Sequence, residues 1–256
     1  MIRAASVIFD LEHPVSTCRT GRYVTHLNSN QPKSKNYHII IIRHYSNCRL
    51  ILMSEKSEKS FPSWDCLYKS QKVQTMPWYN ENLDTDLEEE LEIRKITKGR
   101  ILDLGTGPAT QAIQLSKRGL MVTGSDISEA AINRAIEAYA KDNKNINFIV
   151  DDILNSKIND NNFDYVFDRG CFHVMPLEKR PSYIREIKRI LEEKGILFLK
   201  CFSRKEPREE GPYKLSEEEI RQLFGHDFVI ESVKDTVYQG TLDPLPKALF
   251  VVMNKR

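Results

Sequence analysis

The chain has 256 residues, 40% of them hydrophobic and 29% charged, with a net charge of +2. That balance fits a globular protein, gives no case for nucleic acid or an anionic membrane as partner, and leaves no apolar run near the roughly 20 residues that span a bilayer. The five cysteines, Cys18, Cys48, Cys66, Cys171 and Cys201, are scattered without a C-x-x-C pair, which points to free thiols in a reducing, cytoplasmic setting and to no bound metal.

Residues 1–52 carry seven basic and two acidic residues (Asp10 and Glu12), and the rest of the chain is net acidic. This first stretch lacks sustained apolar periodicity and holds Ser, Thr and Asn clusters. Such a composition buries too little surface to offset ordering its backbone. Residues 1–59 are therefore expected to be an extension, either a disordered tail, an organellar presequence, or upstream sequence ahead of a natural start at Met53. Residues 60–256 are expected to form one domain.

From there the elements alternate. A polar segment leads to an aromatic cluster at Met76-Pro-Trp78-Tyr79, and 84–96 reads as a helix with acids in its first turn. Ile101–Leu104 is a short buried strand, Thr110–Arg118 a helix closed by Gly119, and Leu120–Ser125 the second strand. Ser128 caps a helix predicted to run to about Asp142. Strands follow at Asn147–Val150 and Phe163–Phe167, then a helix at Pro181–Glu192 and a fifth strand at Ile196–Phe202. Ser216-Glu-Glu-Glu219 is a capping box, and Val229–Val237 with Leu249–Met253 closes the chain as a hairpin. Strands alternating with helices give an α/β fold, a doubly wound, mostly parallel sheet covered on both faces.

The most informative stretch is Gly99-Arg-Ile-Leu-Asp103-Leu-Gly105-Thr106-Gly107-Pro-Ala109-Thr110. A strand, a glycine turn and a helix start make a site for a nucleoside-bearing cofactor at the carboxyl edge of a parallel sheet. A dinucleotide fingerprint would place a third glycine where Thr110 stands, and the carboxylate of Asp103 would repel a pyrophosphate. It suits a ligand with a cationic group, an ammonium or a sulfonium. A nicotinamide-dependent oxidoreductase is thereby disfavoured, and a module that binds the cofactor without catalysis stays open.

Asp103-Leu-Gly105-Thr-Gly107-Pro-Ala109 resembles the first motif of class I S-adenosylmethionine-dependent methyltransferases, D-x-G-x-G-x-G, with Ala109 departing at the third glycine. The resemblance covers about 75–256 and implies a Rossmann-like seven-stranded sheet with a reversed final hairpin. It also implies that Asp103, Gly105, Thr106, Gly107 and Ala109 cradle S-adenosylmethionine, with Asp126 on the ribose hydroxyls and Asp152 facing the adenine amino group. Ile127 and Ile153 would flank the adenine ring.

The stretch Asp168-Arg169-Gly170-Cys171-Phe172-His173 leaves the fourth strand where acceptors sit. It resembles a subgroup that includes thiol, thiopurine and tellurite-resistance methyltransferases, whose N-terminal lid aromatics Trp78 and Tyr79 match. Trp78 is assigned to the cofactor, and Tyr79, Cys171, Phe172 and Tyr213 to the substrate. Asp168 and His173 are candidate bases or orienting groups, and Arg169 a candidate partner for an anionic acceptor or the cofactor carboxylate. Asp168-Arg169 can also be read as a structural ion pair. The expected acceptor is a small molecule, a thiol or a chalcogen or metalloid oxyanion first, and an oxygen or nitrogen nucleophile on a small metabolite second. Oligomeric state is not legible.

Overall fold

The structure is a computed structural model that describes residues 38–44, 47–53, 59, 61, 63–139 and 146–256. The chain divides into two units, Met1–Glu58 and Lys59–Arg256. In the first, β1 (His38–His44) and β2 (Asn47–Met53) pair antiparallel, with Ile40 opposite Ile51 and His44 opposite Asn47. The β-branched run Ile39–Ile42 suits a pleated ribbon. The sequence reading, which weighed the segment by its polar clusters, did not anticipate this hairpin. Of the extension expected over 1–59, residues 1–37, 45–46 and 54–58 lie outside the described residues.

The second unit opens with α1 (Trp64–Ser70), then α2 (Thr85–Ile93). Five β-strands with intervening helices follow: β3 (Arg100–Leu104), α3 (Thr110–Lys117), β4 (Met121–Asp126), α4 (Glu129–Tyr139), β5 (Ile146–Val150), β6 (Phe163–Asp168), α5 (Arg180–Ile190) and β7 (Leu191–Phe202). The chain ends with α6 (Glu217–Phe224), β8 (Phe228–Val237) and β9 (Lys247–Lys255). The sheet order is β5-β4-β3-β6-β7-β9-β8, parallel except that β9 runs antiparallel to both neighbours.

This is the seven-stranded α/β sheet with a reversed C-terminal pair that the sequence led us to expect. Among the described residues, no helix is long and apolar enough to cross a membrane.

Successive strand residues point to opposite faces, so each strand feeds two cores. On one face Leu102, Leu104, Val166, Leu197 and Leu199 pack with Tyr183, Ile184 and Ile187 of α5 and Phe224 of α6. On the other Ile101, Phe167, Phe198 and Val252 pack with Leu87 and Leu91 of α2 and Ala112 and Leu115 of α3. Coverage on both faces explains why the strands read as continuous apolar runs. Ser216 accepts from the Glu219 amide and Glu219 reaches back, so the predicted capping box starts α6.

What the fold does for function is set by register. Leu104 pairs with Ser125 on one side and Asp168 on the other, and Asp126 pairs with Val150. The carboxyl ends of β3, β4 and β6 therefore finish side by side. The strand order reverses between β4 and β6 around β3, which makes this edge a topological switch point.

Candidate cofactor and acceptor site

After β3 the backbone turns through the left-handed region three times, at Gly105 (φ 69°), Gly107 (φ 48°) and Ala109 (φ 61°). Glycine takes that conformation without penalty, and alanine is tolerated at the third position at some steric cost. A Cβ at Gly107 would collide with the Tyr68 hydroxyl, and one at Gly105 with the Cys171 sulfur. The two glycines thus let Tyr68 and Cys171 pack directly against the turn.

Asp103 lies buried under the turn and its Oδ2 accepts from the Thr106 hydroxyl at 2.6 Å. Burial pushes its carboxyl up to about 6, against the lowering effect of that hydrogen bond. Thr106 is further fixed by its amide, which donates to the Ser125 carbonyl at 2.9 Å.

Asp126 closes β4. Its Oδ2 accepts from the Gly107 amide at 3.0 Å and its Oδ1 from the Ser128 amide at 2.9 Å. The Ile127 amide also bonds this carboxylate, and with about four lone-pair sites it keeps capacity for a ligand. The Asp151 amide donates to the Asp126 carbonyl at 3.0 Å, which brings the start of the next loop alongside. There Asp152 is exposed, capping a short 3-10 turn through the Leu154 amide at 3.0 Å, while Ile127 is exposed and Ile153 buried. The acids expected to meet ribose and adenine therefore stand at adjacent strand ends.

The loop after β6 is organised by Asp168, which is fully buried. Oδ1 accepts from the Gly170 and Cys171 amides at 2.9 and 2.8 Å, and Oδ2 from the Phe172 amide at 3.0 Å and the Tyr183 hydroxyl at 2.6 Å. Burial raises its carboxyl and these bonds pull it back. With its lone pairs used, Asp168 shapes the loop, and the geometry offers nothing for the base role expected of it. Phe172 is also internal, packed against Tyr183 and Phe224 at ring distances of 5.0 and 4.9 Å. It belongs to the core and not to the substrate surface.

His173 is buried, and its Nδ1 accepts from the Phe202 amide at 3.1 Å. That bond places the imidazole proton on Nε2, making this nitrogen a donor. Burial and the cations Arg169, Arg180 and Lys59 hold the ring neutral, with its pKa lowered to about 3. The ring stacks on Tyr238 and meets Phe202 edge-on. The Tyr213 amide donates to the His173 carbonyl at 2.8 Å, and the Tyr213 ring lies 5.2 Å from the Arg180 guanidinium. Cys171 is half-buried against Gly105, and burial raises its thiol well above the ordinary range.

Arg169 is taken up by three protein partners. Its Nε donates to Asp84 at 2.9 Å, Nη1 to the Trp78 carbonyl at 3.1 Å, and Nη2 to the Gln239 carbonyl. Trp78 donates through Nε1 to the Tyr68 hydroxyl at 3.3 Å. Trp64 meets Trp78 edge-on at 5.8 Å, Phe61 stacks on Trp64, and half-buried Tyr79 packs with the Tyr68 cluster. Sequence reasoning found Trp78 and Tyr79 but missed Tyr68, Trp64 and Arg180. The spacing of Trp64 and Tyr68, four apart on one helix face, was the available signal.

Three acids at successive strand ends and a glycine turn with positive φ fit a ligand carrying a cation, a ribose and an adenine. Comparison with known proteins agrees. Residues 101–195 match a family model described as a methyltransferase domain. An uncharacterised methyltransferase of Schizosaccharomyces pombe is 35% identical over 105 residues, 40% of this chain and 71% of that protein. A 2-heptyl-1-hydroxyquinolin-4(1H)-one methyltransferase of Mycobacteroides abscessus is 29% identical over 161 residues, 61% of this chain and 70% of the relative.

The fold is shared with a structure described as conversion of a disulfide bond into a thioacetal group during echinomycin biosynthesis. That likeness has a TM-score of 0.65 and 22% identity and covers 75% of this chain and 91% of that one. The chain belongs to the class I S-adenosylmethionine-dependent methyltransferases. When bound, the cofactor supplies an activated methyl group on a sulfonium. The protein's share is to hold it, align an acceptor and exclude water.

Proposed function

We propose that the chain methylates a small acceptor that reaches the site already nucleophilic, with a thiol or a chalcogen or metalloid oxyanion as the first class. One observation carries this reading: the three candidate proton acceptors on the segment after β6 are all committed. The Asp168 carboxylate accepts four hydrogen bonds, the His173 Nδ1 accepts a backbone amide, and the Cys171 thiol is held protonated. Without a base, the acceptor must supply its own anion. A thiol is about 3% ionised at pH 7 and a phenol about 0.1%, while an alkylamine is almost wholly protonated. The cations Arg180 and Lys59, which both act on His173, favour an anionic acceptor further.

The role we assign to Asp103 is to face the positive part of the cofactor. Asp126 and Asp152 would take ribose and adenine, Ile127 and Ile153 the adenine faces, and Tyr68 and Trp78 the cover. Tyr79, Cys171 and Tyr213 would line the acceptor side. The acidic hydroxyl of a small heteroaromatic ring is the second class, favoured by the hydroxyquinolinone named for one relative. The free thiols of Cys66, Cys171 and Cys201 suit the cytoplasm.

A labelled-methyl screen at saturating cofactor over thiols, metalloid oxyanions, phenols and amines tests the proposal. The expected order is thiols and oxyanions above phenols above amines, with rates that rise with pH only through the acceptor's own pKa. Preference for an alkylamine, or a protein pKa near 6–7 that vanishes in His173→Gln, would overturn it.

A further inference from the structure

Behind the site lies a buried cluster of two acids and two bases that the reaction does not use. The Lys200 ammonium, with no exposed surface, donates to Asp84 Oδ1 and Oδ2 at 2.8 Å each, to Asp86 Oδ2 at 2.7 Å and to Gln239 Oε1 at 2.6 Å. Arg169 adds its Nε bond to Asp84. Asp86 also accepts from the Thr236 hydroxyl at 2.7 Å, and Lys234 approaches it from the surface at 3.2 Å. Asp84 and Asp86 start α2, Arg169 follows β6, Lys200 lies on β7, and Gln239 lies between β8 and β9.

We propose that this cluster is a latch that positions the aromatic cover of the cofactor site, with Arg169 and Lys200 as positioning residues. Arg169 joins Asp84 to the Trp78 carbonyl with one guanidinium. The segment from Gln239 to Thr241 holds the same stretch from the far side. The Thr241 amide donates to the Pro77 carbonyl at 3.1 Å, its hydroxyl to the Met76 carbonyl at 3.3 Å, and Gly240 is packed too closely on Pro77 for any side chain. The Tyr238 hydroxyl donates to the Arg169 carbonyl at 2.6 Å while its ring stacks on the guanidinium at 4.4 Å. The fixed Trp78 then holds the Tyr68 hydroxyl over Gly107.

A buried ion cluster is often no more stabilising than apolar packing of equal volume, and fixing one arrangement is its best-attested use. The partners lie on α2, the loop after β6, β7 and the β8–β9 connection, so the cluster ties the aromatic cover to the sheet.

Trp64 and Trp78 are the only two tryptophans in the chain, so Trp64→Phe leaves Trp78 as a lone reporter. In that parent, Arg169→Lys and Asp84→Asn should raise acrylamide quenching of Trp78 about twofold or more and weaken S-adenosylhomocysteine binding about tenfold, with the far-UV spectrum unchanged. Lys188→Met, which breaks the remote Lys188–Asp227 pair, should change neither.

Should the charge variants not fold, Gln239→Met keeps all four charges and should show the same two changes at smaller amplitude. Parental quenching and affinity in both Arg169→Lys and Gln239→Met would overturn the latch. The inference rests on the cofactor and not on the acceptor. A parent that bound no S-adenosylhomocysteine would contradict the cofactor assignment, and Trp78 quenching would then decide the latch by itself.

Discussion

Asp103 carries the sharpest residue-scale consequence. Its carboxyl sits at about 6 because burial penalises the ion and the bonds from the Thr106 hydroxyl and the Ala112 amide only partly compensate. A cofactor bearing a sulfonium or ammonium prefers the ionised form, so binding is linked to proton release. Between pH 5 and pH 7 the ionised fraction rises roughly tenfold, and S-adenosylmethionine affinity by calorimetry should rise by about the same factor. Asp103→Asn should bind weakly with a flat profile. Equal slopes in both proteins would show that Asp103 does not face the cation.

Residues like this were legible because the motif is local: Asp103, Gly105 and Gly107 form one turn, and Asp126 is one strand on. Asp168 and Arg169 were legible as important but not in role. Their partners Tyr183, Asp84 and Gln239 are brought in by the fold from places no spacing marks.

Among elements, the sheet and its helices were legible because each strand is a short apolar run between turn signals. The ends were less so. α5 stops at Ile190 and β7 begins at Leu191, five residues before the predicted strand, because a bulge with Lys194 at φ 64° carries the extra residues.

α1 was missed altogether. Seven residues show too little periodicity to read and are too few to hold a helix unaided. Tertiary contacts hold it. Asp65 accepts from the Ala130 amide at 2.9 Å and the Ser128 hydroxyl at 3.3 Å, capping α4 from a distance. Arg134 of α4 returns bonds to the carbonyls of Gln71 and Lys69. Removing the Asp65 cap should loosen α1 and leave the sheet intact. Asp65→Ala should accelerate tryptic cleavage at Lys69 and Lys72 about fivefold while thermal unfolding of the domain barely moves. Unchanged cleavage would mean that Arg134 and the Tyr68 side chain anchor the helix without the Asp65 cap.

For the whole molecule, the opposing shifts inside the site govern how stability depends on pH. His173 has its pKa lowered to about 3, so the native state refuses a proton that the unfolded chain takes up below about 6.5. Its contribution is therefore complete above that pH and is lost as pH falls. Asp103 is shifted the other way, so its contribution is complete below about 3.9 and is lost as pH rises through about 6. Asp126 and Asp168, also raised by burial, act with Asp103.

Between pH 4 and 6 the two signs oppose, and the fold carries its buried charges there with a smaller net slope than either group alone would give. Single substitutions should separate them in urea unfolding. Relative to His173→Gln, the wild type should lose about 2 kcal/mol between pH 7 and pH 5, the free energy of the 1.5 pH units below the unfolded pKa of roughly 6.5. Relative to Asp103→Asn, it should gain stability over the same descent. Parallel curves for His173→Gln and wild type would mean that the buried imidazole accepts its proton in the native state, which would return His173 to candidacy as a base.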